Sequence, residues 1–152
     1  MANIINQGIS GPSGDILASF KNGQCSRILI KQGESIYRIV TKGESNCVEG
    51  AYWVDRDSFN DICSFVEYSS PLTSFTNIAR NKVALTTKFS RLADGLICVS
   101  LNTDIYAWKG KAEMQYEIMN NGIRVKYPGG LNQLWIPNIT ARVANYSFFH
   151  SL

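Results

Sequence analysis

The sequence contains a single histidine, His150, which stands two residues before the last one. Serine and cysteine nucleophiles of the triad type need a histidine as their general base. Because the end of a chain is commonly poorly ordered, we do not expect His150 to play that part. A histidine-dependent triad is therefore disfavoured as the source of any activity.

Two common kinds of ligand-binding motif are also missing. The four cysteines show no CxxC pair, so their spacing indicates no zinc site. Neither GxGxxG nor GxxxxGK[ST] occurs, which excludes the usual phosphate-cradling loops. A chain this apolar and this large does not need a disulfide framework. Buried thiols, with one adventitious bridge left open, are expected at Cys25, Cys47, Cys63 and Cys98.

Long apolar runs and strong net charge are lacking as well. No run approaches the length that spans a bilayer, and the start, MANIINQGISGPSG, has no basic stretch followed by an apolar one, as an export signal has. The net charge of +3 is too small to predict nucleic-acid binding, and no basic and aromatic stripe typical of RNA-recognition domains occurs. We expect neither a membrane nor a nucleic acid as partner.

The charge that is present is unevenly divided. Residues 1–76 carry six Lys and Arg against eight Asp and Glu, a net −2, whereas residues 77–152 carry nine against four, a net +5. A basic half suits an anionic ligand such as a pyrophosphate, or an acidic protein partner. A solvent-exposed surface whose charged residues are unevenly distributed by chance explains the division equally well.

The length and the helix signals predict one domain after a short lead-in. Residues 1–14 are rich in glycine, serine and asparagine and are predicted to be flexible, and residues 15–152 are long enough to bury a core. Ser13 is a candidate cap for a short helix, and Asp57 or Ser58 for a helix through FNDICSFVEY.

Strand patterns dominate the rest of the chain. SRILIK and SIYRIV come early, and LICVSL, DIYAWKG, MQYEIM, GIRVKY, NQLWIP and ARVANYSFF follow, each rich in β-branched or aromatic residues between turn residues. Gly129 and Gly130 predict a hairpin turn with positive φ between two of these strands. Helices early and strands late indicate an α+β domain.

One ordered set of motifs remains: YR in SIYRIV, GAYW, SSPLTSF, and GGLNQ after a strand that carries Gly110, Ala112 and Gln115. This order resembles the ADP-ribosyltransferase-fold toxin domains at the C-termini of bacterial polymorphic toxins. Within them it is similar to the NAD-glycohydrolase branch, typified by the tuberculosis necrotizing toxin. The resemblance spans about residues 20–137. It implies an ADP-ribosyltransferase-like, split and mainly antiparallel sheet core with N-terminal helices.

The resemblance implies two catalytic residues, Arg38 and Gln133. Arg38 would hold the pyrophosphate or a ribose, although an arginine packed on the sheet with its head in solvent fits the sequence as well. Gln133 would orient the ribose through its amide carbonyl while neighbouring backbone fixes its NH₂ group. The other substrate-binding positions that the resemblance implies are Tyr37, Tyr52, Trp53, Ser74, Phe75 and Gly130.

Each of these further positions has a simpler alternative. Tyr52 and Trp53 would wall the nicotinamide or adenine pocket, but aromatic residues beside a strand are more often core. Ser74 and Phe75 would face nicotinamide, yet helix packing explains them better. Gly130 would let the backbone come close to a ligand and start a strand with its glutamine aimed into the cleft.

A tryptophan distinguishes hydrolysis from transfer. Families that transfer ADP-ribose to proteins carry a glutamate two residues after the position of Gln133, and this chain has Trp135 there. Hydrolysis survives the change, because nicotinamide leaves as a neutral molecule and needs no general acid. Glu113 and Glu117 are weaker candidates for the missing negative charge.

The resemblance therefore implies an NAD(P)⁺ glycohydrolase toxin that depletes NAD in target cells during competition between bacteria. It implies no cofactor beyond NAD(P)⁺ as substrate and a cognate immunity protein, which we expect to be acidic. It also implies delivery as a secreted or cell-surface part of a larger protein that acts in the target-cell cytoplasm, and some family members need an accessory protein there. Two alternatives stay open: ADP-ribosyl transfer to a protein or nucleic acid, and a non-catalytic interaction domain.

Overall fold

The structure is a computed structural model that describes residues 4–40, 51–68, 75–83, 95–140 and 142–151. Its helices are α1 (Gly14–Ala18), α2 (Arg56–Tyr68) and α3 (Phe75–Lys82), with a 3-10 turn at Lys21–Gly23. Its strands are β1 (Ser26–Ile30), β2 (Ser35–Val40), β3 (Tyr52–Trp53), β4 (Gly95–Leu101), β5 (Ile105–Lys111), β6 (Gln115–Ile118), β7 (Arg124–Tyr127), β8 (Asn132–Trp135) and β9 (Ala144–Ser151). The predicted α+β class is confirmed.

The sheet core is split into two antiparallel sheets. One has the strand order β1-β5-β8-β3 and the other β2-β4-β9. Among the described residues one isolated bridge joins them, in which the Tyr37 N–H donates to the Val54 carbonyl at 2.9 Å and the Val54 N–H donates back at 2.8 Å. β1 and β2 follow each other in the chain but lie in different sheets.

Strand β2 is covered on both faces, which explains its nearly continuous apolar sequence. Side chains alternate between the faces of a strand. Ile36 and Val40 join a core cluster with the first sheet, whereas Tyr37 and Ile39 join a second cluster with buried residues of α2 and α3. Arg38 shares the face of Ile36 and Val40, and it is half-buried there.

Helix α2 begins earlier than the predicted caps allowed. Its first residue is Arg56, so Asp55 occupies the N-cap position, and the Asp55 carboxylate accepts from the Ser58 N–H at 2.9 Å. The prediction of Asp57 or Ser58 as the cap is therefore wrong. Ser13 does precede α1, but its side chain makes no capping hydrogen bond.

Two further expectations are corrected. Cys98 is buried, whereas Cys25 and Cys63 are half-buried, and all three are free thiols; Cys47 lies outside the described residues. The end of the chain was expected to be poorly ordered, but β9 runs to Ser151 and sets His150 opposite Leu96 of β4. Backbone pairing along the whole of β4 provides the order that a free end lacks.

Part of the predicted lead-in packs on the first sheet. Ile5 bridges to Ile105 in parallel, and the buried Asn6 amide donates to the carbonyls of Tyr106 at 2.9 Å and Pro137 at 2.7 Å. Asn138 in turn donates to the Asn6 side-chain oxygen at 2.9 Å. The buried Asn6 side chain thus donates two hydrogen bonds and accepts one, and these bonds hold the segment against β5.

Asp55 also ties α2 to the first sheet, and this predicts a loss of stability in acid. Its carboxylate pairs with the Lys109 ammonium at 2.5 Å. Burial alone would raise the pKa of Asp55, but the bonds from Lys109 and from the Ser58 N–H outweigh it and lower the pKa below its ordinary value. Stability from this group is thus present above the unfolded pKa near ~4 and is lost as the pH falls through the folded pKa.

We expect the Lys109→Met variant to lose about 1 kcal/mol less than the native chain when the pH is lowered from 6 to 2.5. Urea unfolding at several pH values measures this, with Lys31→Met, which removes an exposed lysine, as the control. An equally steep acid dependence in Lys109→Met would contradict the assignment.

Candidate active site

A cavity of about 560 Å³ lies at the junction of the two sheets, lined by both partners of the bridge between Tyr37 and Val54. The described lining comes from α1, β2, β3 and β8, from the residues that directly follow α1, β3 and α3, and from the start of β6. Small-molecule sites commonly enclose ~300–1,000 Å³, so the cavity has room for a ligand of that class. Its lining joins segments that are far apart in the sequence.

Most of the sequence-predicted site residues meet in this cavity. They are Tyr37, Arg38, Tyr52, Trp53 and Gln133. Gly130 is not among the described residues that line it, and Phe75 begins helix α3. Ser74 lies outside the described residues.

Gln133 is buried in β8, with 8% of its surface exposed. Its side-chain NH₂ donates to the Ser19 carbonyl at 2.9 Å and lies 3.4 Å from the Ser19 hydroxyl. The same carbonyl accepts the Glu113 N–H at 2.9 Å. Backbone therefore holds the NH₂ group, as the sequence-based hypothesis required, and no described residue donates a hydrogen bond to the amide carbonyl oxygen.

A glycine on the neighbouring strand makes this arrangement possible. Gly110 of β5 stands opposite Gln133. A Cβ atom at Gly110 would collide with the Gln24 carbonyl oxygen and the ring of Phe20, which is fully buried. The missing side chain lets residues 19–24 lie directly on the sheet, and this places the Ser19 carbonyl within reach of Gln133.

The charged groups of the described lining are Arg38 and Asp15. Arg38 comes from β2, where it stands opposite Ile97, and Asp15 comes from the first turn of α1. Sequence reasoning missed Asp15, because a single acidic residue in a short helix gives no signal of its own. It also assigned no role to Gln115, a residue of the quoted motif that lines the cavity too.

The aromatic residues of the lining differ in their environments. Tyr37 stacks on Phe59 of α2, with ring centroids 4.1 Å apart and planes 1° from parallel. Burial, and secondarily the neighbouring Cys98, raises the pKa of Tyr37, so its hydroxyl stays neutral at physiological pH. Trp53 belongs to the core cluster between the sheets. Tyr52 is half-buried, and its hydroxyl lies 3.4 Å from that of Ser19, next to the Gln133 amide.

The carboxylates considered from the sequence are engaged elsewhere. Glu113 accepts the N–H of Met114 at 2.9 Å, and Glu117 accepts the Tyr127 hydroxyl at 2.9 Å. Neither is among the described residues of the cavity lining. Trp135 shares the face of Gln133 but packs against Trp108, with ring centroids 5.3 Å apart.

Gly129 and Gly130 do adopt the expected positive φ, at 72° and 103°. The hairpin prediction is wrong, however, because β7 pairs with β6, whereas β8 pairs with β5 and β3. The turn is held by the Asn81 carbonyl, which accepts the Gly129 N–H at 2.6 Å, and by the Ala112 carbonyl, which accepts the Gly130 N–H at 3.0 Å. A Cβ at Gly129 would collide with that Ala112 carbonyl, so the close approach is to the protein's own backbone.

Neither a metal cluster nor a membrane-spanning helix is found in the described part of the chain. No three His, Cys, Asp or Glu side chains there are placed to share a metal ion. None of the helices described there has the length and apolar character that crossing a bilayer requires.

No family model matches the chain, and no curated protein is significantly similar to it. Its fold is similar to that of Tne2, solved in complex with Tni2, with a TM-score of 0.54 at 16% identity over 85% of this chain and 92% of that one. It is also similar to Rhs1-CT, solved in complex with its cognate immunity protein RhsI1, with a TM-score of 0.54 at 14% identity over 84% of this chain and 81% of that one. At these identities the likeness establishes a shared fold.

Proposed function

We propose that this chain is the NAD(P)⁺ glycohydrolase module of a bacterial toxin, which hydrolyses the bond between nicotinamide and ribose. The observation that carries the proposal is the Gln133 amide, which is buried beside the cavity with its NH₂ bound to Ser19 and with no donor to its carbonyl oxygen among the described residues. The shared fold with Rhs1-CT, solved with an immunity protein, supports the toxin part of the proposal.

Substrate binding is assigned to Arg38 and Tyr52. NAD⁺ carries a diphosphate, and a guanidinium binds such an anion with two parallel hydrogen bonds. Arg38 is the cationic residue of the described cavity lining. Tyr52 presents a half-buried ring at the same cavity, and a flat aromatic face suits the nicotinamide or adenine ring.

Bond cleavage needs charge stabilisation more than proton transfer. The electron pair of the glycosidic bond moves to the pyridinium nitrogen, nicotinamide leaves neutral, and positive charge develops on the ribose. The Gln133 carbonyl would accept from a ribose hydroxyl, and the Asp15 carboxylate on the same cavity would favour the cationic sugar. Water then attacks the anomeric carbon, which yields ADP-ribose and one proton.

The residue pattern supports water as the acceptor rather than a protein side chain. Transfer to a macromolecule uses a carboxylate near the acceptor to orient it and take its proton. Trp135, two residues beyond Gln133, packs in an aromatic cluster and supplies no carboxylate at that position, and the other carboxylate of the described lining, Asp15, is assigned to the cationic sugar. The proposal accordingly includes release of free ADP-ribose.

Incubation of the purified chain with NAD⁺ and with NADP⁺ tests the proposal. We expect nicotinamide and free ADP-ribose in equal amounts from NAD⁺, and nicotinamide and ADP-ribose 2′-phosphate in equal amounts from NADP⁺. The ratio of the two rates gives the preference between the dinucleotides. Label retained on a macromolecule would indicate transfer instead. If neither dinucleotide is turned over and calorimetry detects no binding heat, the result refutes the glycohydrolase proposal and favours the non-catalytic alternative.

Arg38 is expected to act mainly on substrate binding. Arg38→Ala should raise KM for NAD⁺ about 10- to 100-fold with a smaller change in kcat, because a charge-assisted hydrogen bond to phosphate is lost. Arg38→Lys should give an intermediate KM, since an ammonium keeps the charge but not the two parallel bonds. Steady-state kinetics of nicotinamide release measure both constants.

Arg27→Ala is the matched control for Arg38. Arg27 is also a strand arginine, but its guanidinium lies over the Tyr106 ring, 4.3 Å from the centroid, and it is not among the residues lining the cavity. Its KM should equal that of the native chain. An unchanged KM in Arg38→Ala would remove the phosphate assignment.

The toxin proposal extends to partners and location. It includes a cognate immunity protein in the producing cell, delivery as part of a larger secreted or surface protein, and action in the target-cell cytoplasm. The complex of Rhs1-CT with RhsI1 supports the first of these. Growth of a bacterial host that expresses the chain in its cytoplasm, with and without extra NAD precursor, tests the site of action.

A further inference from the structure

Strands β6 and β7 form a two-stranded ribbon that pairs with no other strand in the described residues. The register sets Tyr116 opposite Lys126 and Ile118 opposite Arg124, so these four side chains share one face. We call this the outer face of the ribbon. Tyr116 is 44% exposed and Ile118 is 75% exposed.

The ribbon concentrates exposed apolar surface. Met119 and Ile123, at its tip, are 38% and 59% exposed, so the end of the ribbon next to Ile118 exposes apolar surface as well. They stand opposite each other one position beyond Ile118 and Arg124, which places them on the other face of the ribbon. Among the described residues, the other large apolar side chains this exposed are Leu29 and Phe65, which lie on different elements. Single exposed apolar residues are ordinary, but a contiguous patch marks an interaction surface.

The charge of the outer face is positive. The Arg124 guanidinium lies over the Tyr116 ring, 3.7 Å from its centroid, and Lys126 stands beside the same ring. The ribbon's acidic residue, Glu117, is on the opposite, inner face, where it accepts the Tyr127 hydroxyl. The outer face therefore combines apolar contacts with two cations and no carboxylate.

This combination favours an acidic protein over other occupants. A second copy of the chain would bring the cations of two outer faces together, which costs free energy. A nucleic acid would use the cations but would gain little from Ile118 and Ile123, the most exposed apolar side chains of the patch. A protein surface with apolar side chains bordered by Asp and Glu complements both features.

The ribbon connects the patch to the cavity. Gln115, at the start of its inner face, lines the cavity, and Tyr127, opposite Gln115, is buried against Ala112 and Val125. Helix α3 also contacts β7. A protein that binds the outer face therefore contacts the same ribbon that contributes Gln115 to the cavity lining.

We propose that the outer face and tip of the β6–β7 ribbon are the docking surface for an acidic protein that neutralises this chain. The inference rests on the proposed toxin function, since neutralisation presupposes toxicity. It locates the main contact on Tyr116, Ile118 and Arg124 of the outer face, with Ile123 at the adjoining tip.

The partner is identified by function. Genome fragments from the source organism are selected for restoring growth to a host that expresses the chain, and the encoded protein is purified. Calorimetry then compares its binding to the native chain, to Ile118→Asp and to Arg124→Glu. The control is Leu29→Asp, which changes an exposed apolar strand residue away from the ribbon.

We expect Ile118→Asp to weaken binding about 30-fold or more, as loss of a central apolar contact does. Arg124→Glu should also weaken binding, and more so at low salt, because it reverses a charge that attracts the acidic partner. Leu29→Asp should bind within about two-fold of the native chain. Without the partner, the ribbon variants should release nicotinamide at the native rate and keep the native circular dichroism spectrum.

Equal affinity of the native chain and Ile118→Asp would overturn the docking surface, as would a neutralising factor that proves to be a nucleic acid. A chain that releases nicotinamide while no genome fragment neutralises it would overturn the docking proposal alone. A chain that arrests growth without releasing nicotinamide would overturn the glycohydrolase proposal, and the binding comparison would still decide the surface.

Discussion

Replacing Gln133 with alanine is expected to lower kcat for nicotinamide release by about 100-fold or more, the usual cost of removing a fixed group that stabilises developing charge. The Gln133 amide is held by its bond to the Ser19 carbonyl, so its own carbonyl oxygen is positioned before substrate binds. Alanine leaves no group there to accept from the ribose. Steady-state kinetics with NAD⁺ measure the loss.

The fold should survive this change. The Ser19 carbonyl keeps the Glu113 N–H as a donor, so no backbone group is stranded, and the cost is about 1–2 kcal/mol of unfolding free energy. Gln32→Ala, which removes an exposed glutamine between β1 and β2, is the matched control and should be as active as the native chain. Full activity in a folded Gln133→Ala variant would refute the assigned role.

Replacing Gly110 with alanine is expected to cost about 3 kcal/mol or more of unfolding free energy. The added methyl group would meet the Gln24 carbonyl oxygen and the Phe20 ring, and backbone cannot move aside as a flexible side chain can. Relief requires residues 19–24 to lift from β5, which would carry the Ser19 carbonyl away from Gln133. Thermal unfolding should show a fall of roughly 6–12 °C in Tm.

Gly8→Ala is the control for Gly110. A Cβ at Gly8 meets no atom within 4 Å, so its Tm should stay close to that of the native chain. Any folded fraction of Gly110→Ala should also release nicotinamide more slowly, since Gln133 would lose its anchor. A native Tm for Gly110→Ala would mean that residues 19–24 do not pack on the sheet.

Local patterns in the sequence predicted many of the elements. SRILIK, SIYRIV and NQLWIP became β1, β2 and β8, because β-branched and aromatic side chains suit a pleated, buried surface. The helix through FNDICSFVEY was also found, but its start was placed late. Which carboxylate caps a helix depends on where the chain leaves its extended segment, and Asp55 and Asp57 cannot be told apart by composition alone.

The motif order in the sequence was enough to select Arg38, Tyr52 and Gln133, which the fold brings to one cavity. Asp15 and the role of Gly110 could not be selected in this way. Asp15 reaches the cavity because α1 is set beside β8 by residues 19–24, and Gly110 matters only because those residues cross it. Both depend on contacts between segments about 90 or more positions apart in the chain.

The amino-acid order alone was sufficient for the α+β class, for most strands and for the positive φ of Gly129 and Gly130. These features follow from neighbouring residues, whose periodicity and backbone freedom act within a few positions. Chain folding was needed to separate β1 from β2, to turn the expected hairpin into a link between sheets, and to fix the Gln133 amide on Ser19. Those outcomes depend on which distant surfaces bury each other, because the free energy of burying apolar area is shared among segments and is not encoded in any one of them.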